Sequence, residues 1–198
     1  MKSDDLLLYG VTDRRGLGGL SLTEAVRQSL DGGVTFVQLR EKHLGREEFA
    51  AEALALKALC AEYGVPFVIN DDVGQSDMAA EDVRARIGEG KILGVSAQTV
   101  EQAVAAEKCG ADYLGVGAVF PTGSKDDAED VSYDTLRDIC NAVSIPVIAI
   151  GGITAANAAK LSGSGICGVA VISAIYCADD IAKAARTMRA AVEEAVKS

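Results

Sequence analysis

The chain has 198 residues, 49% of them hydrophobic and 5% aromatic, with no Trp. That length suits one domain with a sizeable core, since single α/β barrels commonly run to about 200–250 residues. A formal net charge of −10 argues against nucleic acid or an anionic membrane surface as the main partner.

Short apolar runs alternate with longer helical patterns from one end to the other. Strands are predicted at LLLYGVTD (6–13), TFVQLREK (35–42), PFVIND (66–71) and KILGVSAQT (91–99). They continue at DYLGVGAVF (112–120), IPVIAIGGI (145–153) and CGVAVISAI (167–175). Between them lie amphipathic stretches. In 46–64, Phe49, Ala53, Leu56 and Cys60 recur at helical spacing, and 100–110 and 132–143 read the same way. A final helix has Asp179 or Asp180 as its N-cap and Ile181, Ala185, Met188 and Val192 as its apolar stripe.

Strand–helix alternation with nearly continuous apolar strands predicts a parallel sheet covered by helices. GADYLGVGAVF resembles GSGICGVAVISAI, and GVPFVIN resembles SIPVIAI. Repeated βα units of this kind favour a (βα)8 TIM barrel over a doubly wound sheet. No G-x-G-x-x-G follows the first strand, which also weighs against a Rossmann domain. Seven strands are predicted, because INDD runs directly into VGQSDMAAEDVRARIG and leaves no room for another helix and strand.

The first ten residues hold too short an apolar run for a signal peptide, and no stretch approaches membrane-spanning length. Cys60, Cys109, Cys140, Cys167 and Cys177 form no C-x-x-C pair. This predicts a reduced, cytoplasmic chain without disulfides or a zinc site.

In a βα barrel the active site lies at the C-terminal ends of the strands. VQLREK places Gln38, Arg40 and Lys42 on alternate positions, hence on one strand face. Three long polar groups there need a polar cavity or an anion, because burying them unpaired is expensive. The third strand ends in Asn70, Asp71 and Asp72, and Ser96 sits late in the fourth. PTGSK then supplies Thr122, Gly123, Ser124 and Lys125.

Arg40, Lys42 and Lys125 on one rim point to a polyanion. Gly151 and Gly152, with the backbone before Ser173, match the usual barrel phosphate site, where glycines let backbone N–H groups approach oxygens. Asp71 and Asp77 are the carboxylates best placed for a cation, and oxygen ligands beside phosphate-binding cations imply Mg²⁺. Taken singly, each residue has a plainer reading: Lys42 as a snorkelling side chain, Asp71 as a turn cap. Asp72 is read as a loop charge, and His43, the only histidine, as a solvated loop residue. No Ser–His–Asp or Cys–His arrangement can be built from it.

QLREK, IND, GQSDM, GVSAQT, GVGAVFPTGSK, IPVIAIGGIT and GVAVISAI together resemble the thiamine phosphate synthase family along essentially the whole chain. The resemblance implies joining 4-amino-2-methyl-5-(diphosphomethyl)pyrimidine to 4-methyl-5-(2-phosphoethyl)thiazole, giving thiamine phosphate and pyrophosphate with Mg²⁺. It further implies substrate binding by the whole stretch Gln38, Leu39, Arg40, Glu41 and Lys42. Within that stretch Gln38 contacts the aminopyrimidine. Arg40, Lys42, Asn70, Ser96 and Lys125 resemble the diphosphate-binding set, with Arg40, Lys42, Ser96 and Lys125 assisting the chemistry. Asp71 and Asp77 match the Mg²⁺ ligands. Thr122, Gly123, Ser124, Gly151 or Gly152, Ile172 and Ser173 match the thiazole phosphate site.

Two departures stand out. Gln98 occupies the place where family members commonly have histidine in GVS-x-HT. Family members also continue after IND through a helix and a fourth strand before GQ-x-D. The expectation is therefore a single TIM-barrel domain, 1–198, with its third helix and fourth strand missing from this sequence at Val73–Gly74, and a natural polypeptide that contains them. The partners expected are small-molecule substrates, with room for a homo-oligomer. Two rivals share the barrel: a thiazole tautomerase, for which His43 is the only histidine available, and a non-catalytic barrel binding phosphorylated ligands.

Overall fold

Runs rich in Val, Ile and Leu form the strands, and in the computed structural model they lie in one parallel sheet. The structure describes residues 2–41, 44–70, 80–122 and 130–197. Among them the strands are β1 (Leu8–Val11), β2 (Phe36–Arg40), β3 (Phe67–Asn70), β4 (Gly94–Ala97), β5 (Tyr113–Val116), β6 (Val147–Ile150) and β7 (Gly168–Val171). The sheet order is β3-β2-β1-β7-β6-β5-β4, with every pairing parallel.

The helices are α1 (Leu22–Asp31), α2 (Arg46–Glu62), α3 (Ala80–Ile87), α4 (Val100–Lys108), α5 (Tyr133–Ala142), α6 (Ser173–Tyr176) and α7 (Ile181–Val196). Side-chain oxygens of Ser21, Thr99, Ser132 and Asp180 accept from the backbone N–H groups that open α1, α4, α5 and α7. Asp180, rather than Asp179, therefore caps α7. Ile181, Ala185, Met188 and Val192 are buried along its inner stripe, as their spacing predicts. The first helix, α1, was not singled out from the sequence, although Ser21-Leu22-Thr23-Glu24 carries the S-x-x-E signature of a helix start.

Alternation along each strand builds two apolar layers. Leu8, Val37, Leu39, Leu114, Val116, Val147 and Val169 face the helices, packed in one cluster with Leu56, Leu136 and Met188. On the concave side a smaller cluster holds Leu6, Tyr9, Val11, Phe36, Tyr113, Ile148 and Ala170.

The strands are shorter than predicted. CGVAVISAI leaves the sheet after Val171 and turns into α6, so Ser173–Ile175 are helical. Apolar composition alone does not separate the end of a buried strand from a short buried helix. Among the described residues β3 and β4 end the sheet order, and β3 leaves Ile69 44% exposed. No helix among the described residues is long and apolar enough to cross a membrane.

Candidate active site

Phe36 lies in the concave cluster, so alternation turns Gln38 and Arg40 to the same side. Register extends that side across the sheet: Arg40 pairs with Asn70, and Ser96 pairs with Gly115. Gln38 and Arg40 are partly buried, while Asn70 and Ser96 are exposed. The structure thus brings these four predicted residues to one face, at the C-terminal ends of their strands.

An aromatic layer forms the floor beneath them. The rings of Tyr9 and Phe36 stack with centroids 4.6 Å apart, and Tyr113 tilts against both, 5.9 Å from Tyr9 and 5.8 Å from Phe36. The Tyr9 and Tyr113 hydroxyls are 2.8 Å apart, and Gln38 Nε2 donates to the Tyr9 hydroxyl at 2.8 Å. Burial pushes both phenols above their ordinary range.

The Leu39 side chain is fully buried in the helix-facing layer, because it alternates with Gln38 and Arg40, so only its backbone is turned toward the rim residues on either side. Glu41 is engaged in an ion pair with Arg14, which also pairs with Glu52 of α2. These pairs tie the loop after β1 to the end of β2.

Thr12 and Asp13, which the sequence reading passed over, stand at the end of β1. The Arg40 backbone N–H donates to Thr12 Oγ1 at 3.0 Å. Asp13 is 7% exposed and accepts from the Arg15 backbone N–H at 2.9 Å and from its guanidinium at 2.6 Å. The Arg15 hydrogen bonds, with further attraction from Arg40, hold the Asp13 carboxyl below its usual range. The signal was present in VTD, since polar residues closing a barrel strand face the site.

The glycines after β6 are required by close approach. Gly151 and Gly152 have φ of 100° and 63°. A Cβ on Gly151 would lie 2.6 Å from the Ala118 Cβ, and one on Gly152 would lie 2.5 Å from the Pro121 carbonyl oxygen. Backbone bonds from Val119 to Ile150 (3.0 Å) and from Phe120 to Gly151 (3.2 Å) hold the segment leading to Thr122 against this turn. Asn157 fastens the other side, donating to the Gly152 carbonyl at 2.9 Å. Ile150 pairs with Ala170, which brings the glycine turn beside Ile172 and the exposed Ser173. Gln98 directs Nε2 toward the Gly117 carbonyl at 3.5 Å.

Lys42, Asp71, Asp77, Gly123, Ser124 and Lys125, with His43 and Asp72, lie outside the described residues. Among the described residues no three His, Cys, Asp or Glu side chains gather as a metal-binding group. Two grooves stand out among the described residues. One of about 480 Å³ is lined by Thr154, Asp179 and Lys183, and one of about 330 Å³ by Asp4, Thr35 and Arg189.

A curled all-parallel sheet, helices on its outer face and polar side chains gathered at the strand ends define a TIM-barrel-like α/β protein. The family model for thiamine monophosphate synthase matches residues 8–175, and the chain belongs to that family. It is 48% identical to the thiamine-phosphate synthase of Clostridium tetani over 196 residues, covering 92% of this chain and 94% of the relative. It is also 48% identical to that of Ruminiclostridium cellulolyticum over 202 residues, covering 95% and 96%. The solved thiamine phosphate pyrophosphorylase of Pyrococcus furiosus superimposes with a TM-score of 0.87 at 38% identity, covering 98% of both chains.

Proposed function

We propose that this chain, a transferase, joins the aminopyrimidine diphosphate to the thiazole phosphate at the concave rim, releasing thiamine phosphate and pyrophosphate. The observation that carries the reading is Gln38, Arg40, Asn70 and Ser96 on one face in a chain 48% identical to thiamine-phosphate synthases. Gln38 meets the pyrimidine. Arg40, Asn70 and Ser96, with Lys42 and Lys125, hold the diphosphate. Gly151–Gly152, Thr122–Ser124 and Ile172–Ser173 hold the thiazole phosphate.

The donor set fits Mg²⁺: Asp71, which directly follows Asn70 at the rim, and Asp77, seven positions beyond Asn70, both offer carboxylate oxygens. When bound, the ion supplies charge neutralisation on the leaving diphosphate. Arg40, Lys42 and Lys125 add positive charge where negative charge develops, so the carbon–oxygen bond can break before the new bond forms. The aminopyrimidine carries the resulting positive charge, and the thiazole nitrogen captures it. That nitrogen has no proton to lose, so no side-chain base is needed. Positioning and electrostatics carry the rate.

The same reading takes the sheet as a (βα)8 barrel lacking one helix–strand excursion between β3 and β4. It is supported by the position of β3 and β4 at the two ends of the sheet order. It is supported also by an alignment of 202 positions that covers only 95% of this chain of 198, so the relative carries positions this chain lacks. Cytoplasmic residence is supported by the five free cysteines.

The test is direct. Protein, both substrates and Mg²⁺ are expected to yield thiamine phosphate and pyrophosphate in equal amounts, and excess chelator to stop the reaction. No product with Mg²⁺ present would overturn the proposal. Undiminished product in chelator would overturn the metal assignment alone.

A further inference from the structure

We infer that Tyr176, whose hydroxyl meets Ser29 of α1 beside Gly10 of β1, is a positioning residue for the thiazole phosphate, holding the Ile172–Ser173 peptide in place from inside the core. The inference rests on the assignment of that phosphate to Gly151–Gly152 and Ile172–Ser173 and deepens it.

The segment after β7 is too short to hold its own shape. The chain leaves the sheet after Val171, and α6 runs only from Ser173 to Tyr176. A single helical turn fixes many dihedrals for few hydrogen bonds, so its geometry must come from what it packs against. The Tyr176 backbone N–H donates to the Ile172 carbonyl at 3.0 Å, and the Ile175 N–H donates to the same oxygen at 3.2 Å. That carbonyl shares one planar trans peptide with the Ser173 N–H, which therefore points the opposite way. Holding the oxygen inside the turn sets the direction of the N–H at the phosphate site.

Tyr176 is the anchor of this turn. Its hydroxyl lies 3.1 Å from Ser29 Oγ, itself 2.8 Å from the Val26 carbonyl oxygen. The contact ties α6 to α1 whichever hydroxyl donates. Tyr176 and Ser29 are both 0% exposed, so neither side chain touches a ligand, and any effect on binding passes through α6. Two glycines leave room for the arrangement. A Cβ on Gly10 would lie 2.9 Å from the Tyr176 hydroxyl oxygen, and one on Gly16 would lie 2.6 Å from Cys177 Cα, at the next residue. The strand β1 and the loop after it thus close around the buried end of α6, while its other end faces the glycine turn.

A purely structural role predicts a lower thermal midpoint and nothing else. A positioning role predicts a split between the two substrates, read by steady-state kinetics with each varied in turn. Tyr176→Phe keeps the ring and leaves Ser29 bonded to Val26. It is expected to raise the KM for thiazole phosphate about three- to tenfold, the effect of one hydrogen bond of typical net strength. The KM for the pyrimidine substrate and kcat should stay close to wild type. Ser29→Ala breaks the same contact from α1, should raise the same KM, and carries the test if Tyr176→Phe does not fold. The double variant should be no worse than the worse single one, because both changes remove one interaction. Gly10→Ala should raise that KM in the wild type and add little to Tyr176→Phe, where the crowded oxygen is gone. If Tyr176→Phe and Ser29→Ala keep the wild-type KM for thiazole phosphate, or raise the KM for both substrates equally, while Gly151→Ala raises that for thiazole phosphate, the positioning role is overturned and the phosphate assignment stands. If Gly151→Ala also leaves it unchanged, the phosphate assignment itself falls.

Discussion

Arg40 and Asn70 stand opposite each other at the last paired rung of β2 and β3, where the sheet opens onto its rim. The guanidinium-bearing strand end and the amide-bearing one therefore face the same ligand space. Thr12 fixes the Arg40 backbone from the other side. Removing the guanidinium should remove charge stabilisation while leaving this backbone frame in place. Arg40→Ala is expected to cost about 2–4 kcal/mol in kcat/KM, the range for one electrostatic contact to developing charge. The loss should appear mainly with the diphosphate substrate. Steady-state kinetics identical to wild type would remove Arg40 from the anion pocket.

The glycine turn makes a second prediction. Gly151→Ala forces a side chain into a φ of 100° and against Ala118. Strain of about 1–3 kcal/mol is expected, read as a lower denaturation midpoint. The KM for thiazole phosphate should rise more than that for the pyrimidine substrate. An equal rise for both substrates would separate the turn from the thiazole phosphate site.

Asp13 predicts an acid dependence. Its carboxyl is held below the ordinary range by the Arg15 hydrogen bonds. The stabilisation is thus full above the unfolded-state value of about 3.9 and is lost as pH falls through the lower folded-state value. Asp13→Asn should be less stable than wild type at neutral pH, and the difference should shrink in that acid window. A difference that stays constant from neutral to strongly acidic pH would contradict the linkage.

Much of this was legible in the sequence because strand alternation is a rigid rule. It puts Gln38 and Arg40 on one face, and by the same rule it turns the Leu39 side chain to the helix-facing layer. The tyrosine pair was not legible. Tyr9 and Tyr113 are 104 positions apart, and only the curl of the parallel sheet brings their hydroxyls together. Asp13 was hidden for a similar reason: its local partner Arg15 makes it look like a turn residue, while its proximity to Arg40 is a matter of the fold. The strand ends were misjudged where apolar composition continues into α6.

The sheet order predicts something about the natural polypeptide. Among the described residues β3 and β4 end the sheet order and Ile69 is exposed, and an open strand edge is a surface prone to pairing with another chain. A helix–strand excursion between β3 and β4 would supply the missing partner. The intact mass of the protein isolated from its source is expected to exceed 20.5 kDa. A mass equal to that value would mean that the deletion is real.

Both substrates are expected at the concave rim, and a crystal structure with thiamine phosphate, pyrophosphate and Mg²⁺ tests this most directly. Pyrophosphate should lie within hydrogen-bond reach of Arg40 and Asn70, with the pyrimidine on Gln38 and the thiazole phosphate against Gly151–Gly152. Finding the ligands in the groove lined by Thr154, Asp179 and Lys183, with the rim empty, would contradict it.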